Sequence, residues 1–108
     1  MRIAIDVMGG DFAPDAILAG SIAALDVLSS PADRITLVGD QVVIKDILRE
    51  EGLASDPRLE IEPTTQVIGM DESPTAALRA KPDSSIAKWA WMGSRKCPDT
   101  KRADVIIS

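Results

Sequence analysis

The chain has 108 residues, of which 45% are hydrophobic and 27% charged. That apolar content is enough to build a core, so disorder is excluded and one domain is expected. No apolar run approaches the ~20 residues of a membrane-spanning helix, and Asp6 and Asp11 interrupt the opening where a signal region would need apolar residues. One cysteine, Cys97, excludes an internal disulfide and a cysteine-rich zinc cluster, and points to the reducing cytoplasm. With no histidine, a Ser–His–Asp triad, a Cys–His pair and a His-ligated metal are excluded within these residues.

Arg2–Met8 reads as a buried strand, rich in β-branched residues and stopped by Gly9-Gly10. A helix follows, with Pro14 in its first turn and Leu18, Ile22, Leu25 and Leu28 on one stripe; Ser29-Ser30-Pro31 ends it. Arg34–Val38 is a second strand. Asp40 then caps a helix over Gln41–Glu51, with Val43, Ile44, Ile47 and Leu48 facing inward. In the third strand, Arg58–Glu62, Leu59 and Ile61 alternate with charges, which predicts one wet face near a sheet edge.

Pro63–Glu72 reads as a loop. Ser73-Pro74 starts a short helix that Pro82 prevents from passing Lys81. Asp83 or Ser84 caps another, with Ile86, Trp89, Ala90 and Gly93 at helical spacing. Ala103–Ser108 is a fourth strand. Strand and helix alternate throughout, so the fold class is α/β: a mainly parallel sheet with helices on both faces. A fourth strand with no helix after it leaves part of the sheet face uncovered. The expectation is therefore a truncated, N-terminal portion of a larger domain.

The net charge of −5 is unevenly spread. Residues 1–75 carry 14 acidic and 5 basic side chains, whereas residues 76–108 carry 3 acidic and 7 basic ones. The second segment either scatters its charge in solvent or faces something anionic. Nucleic acid is not expected as a partner, because the chain is acidic and has only Phe12, Trp89 and Trp91 as aromatics.

In an open α/β sheet, ligands bind beyond the C-terminal ends of the strands. There, Asp6-Val7-Met8-Gly9-Gly10-Asp11 sets a carboxylate in an apolar strand, then two glycines and a second carboxylate. Asp6 either hydrogen-bonds loop amides or serves a ligand, and the glycines either make a tight turn or admit a ligand to the backbone. The loop is neither a dinucleotide fingerprint nor a P-loop. The second candidate is Arg79-Ala80-Lys81-Pro82-Asp83-Ser84-Ser85. A helix start, two hydroxyls and a nearby ammonium make an oxyanion cradle, although an ordinary N-cap explains the same residues and Asp83 needs Lys81 or Arg79 to offset it. Trp89, Trp91 and Met92 read as packing residues, with only one tryptophan facing inward. The positive charge of Arg95 and Lys96 would lower the pKa of Cys97, but no histidine base accompanies it.

The opening Met-Arg-Ile-Ala-Ile-Asp-Val-Met-Gly-Gly-Asp-Phe-Ala-Pro resembles the start of the bacterial acyl-[acyl-carrier-protein]:phosphate acyltransferases of phospholipid synthesis. The likeness continues through Leu37–Asp40, Ile68–Arg79, Lys81–Ser85 and Ala103–Ser108; Ala87–Arg102 matches poorly. The resemblance implies a phosphotransacetylase-like, three-layer α/β/α fold that continues past Ser108 into a Gly-rich turn. It implies reversible formation of acyl phosphate from acyl-[acyl-carrier-protein] and inorganic phosphate, with no cofactor and no metal. It also implies a homodimer in the full-length protein and peripheral membrane association. On this reading Lys81, Ser84 and Ser85 hold phosphate, and Asp83 belongs to the same substrate-binding segment. Gly9 and Gly10 supply backbone donors or clearance, and Asp6 and Asp11 orient these loops or accept a proton. Two other readings stay open: a Mg²⁺-dependent phosphotransferase or phosphatase using Asp6 and Asp11, and a non-catalytic interaction module.

Overall fold

The computed structural model describes residues 1–8, 14–28, 30–66 and 73–107. Four parallel strands form one sheet in the order β3-β2-β1-β4: β1 (Arg2–Asp6), β2 (Arg34–Gly39), β3 (Leu59–Pro63) and β4 (Val105–Ile107). The helices are α1 (Asp15–Ala24), prolonged by one 3-10 turn over Leu25–Val27, α2 (Gln41–Glu50), α3 (Pro74–Ala80) and α4 (Ser85–Met92). Pro14 lies at the N-cap of α1, just before its first turn. Asp40 caps α2 by accepting from the amides of Val42 at 2.9 Å and Val43 at 3.4 Å. The fold is the expected α/β class.

Because strand side chains alternate, each strand serves two faces. Ile35 and Leu37 of β2, with Val7 beyond β1, point to one face and pack against Leu18 and Leu25 and against Ile44 and Leu48 of α2. Ala4 and Val38 point to the other and pack against Met92 of α4, Cys97 and Ala103. Helices therefore cover both faces. Gly39 ends β2 where a Cβ would sit 2.6 Å from Val7 Cγ2 and 2.8 Å from Met8 Cγ, so the exit of β1 runs hard against it.

Helix α4 starts at the C-terminal edge of the sheet, where Ser84 forms a parallel bridge with Gln66 just past β3. It ends at the opposite edge, where the Ala103 amide donates to the Met92 carbonyl and the Asp104 amide to the Arg2 carbonyl. Its buried residues are Ser85 and Met92. Trp89 and Trp91 are both half-buried, so the expected division into one inner and one outer tryptophan is replaced by two partial contacts.

The polar face of β3 is a correction to the sequence reading. Both glutamates lie on the α4 face; Glu60 keeps part of its side chain in solvent, while Glu62 is withdrawn from water, at 9% exposed. Two cations, Lys88 and Lys101, fold back over it. β4, by contrast, remains open: Val105, Ile106 and Ile107 are all exposed.

Candidate functional site

The sheet register sets the first half of the site. Asp6 pairs with Val38, and Val38 with Glu62, which makes one row across β1, β2 and β3 on the α4 face. Strand spacing puts the two carboxylate-bearing residues about 10 Å apart at Cα. Asp6 is 4% exposed. Its Oδ1 accepts from the Met8 amide at 3.0 Å and so holds the turn by which the chain leaves β1. An amide bond of this kind is one of the two alternatives that the sequence left open for it. Gly9, Gly10 and Asp11 lie outside the described residues.

The second half is the start of α4. Ser84 Oγ donates to the Lys81 carbonyl at 2.8 Å and accepts from the Ala87 amide at 3.4 Å, so this hydroxyl is spent on the cap. The cap leaves the Ser85 and Ile86 amides of the first turn with no acceptor inside the helix. Ser85 is buried, at 9% exposed.

Asp83 forms a clasp with the strand extension beyond β3. Its carbonyl accepts from the Thr65 and Gln66 amides, both at 3.1 Å. Its own amide donates to Gln66 Oε1 at 2.8 Å. Its carboxylate accepts from the Thr65 amide at 3.0 Å and from the Thr65 hydroxyl. These bonds, the Thr65 hydroxyl first, hold its pKa below the ordinary carboxylate value. A cation beside it is Lys88, at 3.6 Å.

The two halves share one edge and one face of the sheet. Asp6 closes β1 at the edge where α4 begins, and α4 passes over β1 and β2. A hollow of about 380 Å³ opens on the same face, reaching from Arg2 at the entry of β1 to Glu62 and Pro63 at the exit of β3. Arg2, Thr36, Glu60, Glu62, Met92 and Lys101 line it, and none of these is a site residue expected from the sequence. Within it, Arg2 grips Glu60 with Nε at 2.9 Å and Nη2 at 3.3 Å, and the Thr36 hydroxyl donates to the same carboxylate at 3.0 Å.

Sequence reasoning missed this charged layer. The signal was the surplus of cations after residue 75 set against acidic β3. Part of the anion that the basic segment faces is the chain's own Glu62, 3.6 Å from both Lys88 and Lys101. Arg102 is likewise engaged by the chain itself, donating to the carbonyls of Arg95 and Cys97 and pairing with Asp99. Cys97 is also corrected. It is fully buried, and burial raises its thiol pKa against the lowering pull of Arg102. No group of three or more acidic or sulfur ligands is arranged for a metal among the described residues. None of the described helices is long and apolar enough to cross a membrane.

A family model described as "Fatty acid synthesis protein" matches residues 1–108. The chain belongs to this family. Among the family's curated relatives, the phosphate acyltransferase of Pseudomonas putida (strain GB-1) is 48% identical over 84 residues, 78% of this chain and 24% of that protein. The phosphate acyltransferase of Heliobacterium modesticaldum is 46% identical over 86 residues, 80% of this chain and 25% of that one. That of Pseudomonas paraeruginosa is 40% identical over 84 residues. The chain thus spans about a quarter of the length of these relatives.

Proposed function

We propose that this chain is the N-terminal α/β portion of a phosphate acyltransferase, and that the edge between Asp6 and the start of α4 is the phosphate half of its active site. The observation that carries this reading is the placement of the Lys81–Ser85 segment at the same edge and face as the exit of β1. The relatives' shared name adds the reaction class.

The reaction joins an acyl-[acyl-carrier-protein] thioester to inorganic phosphate. A phosphate oxygen attacks the thioester carbonyl carbon, the C–S bond breaks, and acyl phosphate leaves the carrier thiol free. Phosphate is itself the nucleophile, so the protein's task is to hold two reactants in line and to stabilise an oxyanion. Lys81, Ser85 and the first-turn amides of α4 hold phosphate, helped by the positive end of the helix. Asp83 and Ser84 keep that segment in shape through the clasp and the cap. Gly9 and Gly10 give the thioester clearance and backbone donors. Asp6 fixes the loop that carries them, and Asp11 takes up a proton from phosphate. The acidic carrier protein, a homodimeric assembly and a cytoplasmic life at the membrane face belong to the same reading.

The test is acyl phosphate formation by the full-length protein with acyl-carrier-protein thioester and inorganic phosphate. Lys81→Ala is expected to raise the phosphate KM. An unchanged KM would remove Lys81 from the binding role, and no acyl phosphate from the wild-type protein would remove the whole reading.

A further inference from the structure

Lys88 is the one described side chain whose recorded ion pairs join the sheet to the clasp. It lies on the first turn of α4, and its Nζ is 3.6 Å from Glu62 Oε1 and 3.6 Å from Asp83 Oδ1. The same ammonium lies 5.6 Å from the centre of the Trp91 ring. Glu62, only 11% exposed in its side chain, is anchored in the register row with Val38 and Asp6. Asp83 immediately precedes Ser84 and Ser85. A half-buried cation between a strand carboxylate and a loop carboxylate resists screening better than a surface pair. Lys101 also reaches Glu62, at 3.6 Å through the other carboxylate oxygen, and lines the hollow, but its ion pair is with Glu62 and not with Asp83.

We infer that Lys88 is a positioning residue for the phosphate site: by bridging Glu62 to Asp83 it fixes the start of α4 relative to the Asp6 edge of the sheet. The inference rests on the functional reading above. Loss of the bridge lets the cradle shift against the sheet while the core beneath Met92 stays packed. Phosphate binding then suffers, and turnover of bound substrate suffers less.

The experiment measures phosphate KM and kcat in the full-length protein for Lys88→Met, Lys88→Arg, Lys101→Met and Ser85→Ala, with thermal unfolding of each. Lys88→Met is expected to raise the phosphate KM on the order of tenfold, as supporting contacts behind a binding group do, with kcat nearly unchanged. Lys88→Arg is expected to restore most of it, because a guanidinium also spans both carboxylates. Lys101→Met is expected to leave KM alone. If Lys88→Met does not fold, Lys88→Gln replaces it, being too short and uncharged to bridge. An unchanged KM in the Lys88 variant beside a raised one in Ser85→Ala overturns this inference and spares the phosphate site. Unchanged KM in both overturns the two together. An equal rise in Lys101→Met also overturns it, since neutralising Glu62 would then be what matters.

Discussion

The two faces of the sheet are built from the same strands and differ in kind. One is dry: Ile35, Leu37, Val7, Leu18 and Ile44 pack on one another with α2. The other carries the small apolar group around Met92 and beside it a layer of paired charge on Arg2, Glu60, Glu62, Lys88 and Lys101. Neighbouring residues of β2 show the contrast directly, for Leu37 belongs to the dry face and Thr36, bonded to Glu60, to the charged one. The difference teaches where stability and function divide. Every described site candidate lies on the charged face or at its edge, and the dry face supports it from behind.

Substitutions can break that contrast. The largest effect is expected from Leu37→Ala, which opens a cavity in the dry face and should cost about 2–5 kcal/mol by denaturant unfolding. Gly39→Ala strikes the dry face where the exit of β1 runs against the end of β2. Its new Cβ would meet Val7 and Met8 at 2.6 and 2.8 Å, and overpacking of this kind costs about 1–3 kcal/mol. Thr36→Val removes a single bond to a carboxylate that Arg2 still holds, and should cost about 1 kcal/mol. If Thr36→Val proved as damaging as Leu37→Ala, the charged layer would be as much a core as the dry one.

The smallest effect concerns pH. Asp83 has its pKa lowered in the folded state, chiefly by the Thr65 hydroxyl. A depressed carboxylate stabilises the fold above its unfolded pKa, and that contribution fades as pH falls through the folded value. Below about pH 4, wild type should therefore lose stability more steeply than Asp83→Asn, as read by thermal unfolding across an acid series. The partly exposed clasp keeps the difference small, and parallel curves would mean that the carboxylate adds nothing.

Much of the fold is legible in the residues because periodicity reports burial. Ile44 and Leu48 on α2, the Asp40 cap and the stop before Pro82 all follow from local chemistry. β3 shows the limit of such patterns. Alternation separates its faces correctly, but it cannot say whether the polar face meets water or distant cations. Lys88 and Lys101 reach Glu62 across 26 and 39 residues of sequence, and only the return of the chain over the sheet brings them there. At the site, Asp83 and Ser84 were legible as a helix cap. That Thr65 and Gln66 would clasp Asp83 was not, because a bridge between two loop segments leaves no period to read.

Amide hydrogen exchange of the full-length protein, with and without inorganic phosphate, tests the central claim most directly. A phosphate site at the start of α4 predicts new protection at Ser85 and Ile86. Protection confined to the hollow around Arg2, Thr36 and Lys101, with Ser85 and Ile86 unchanged, would contradict it.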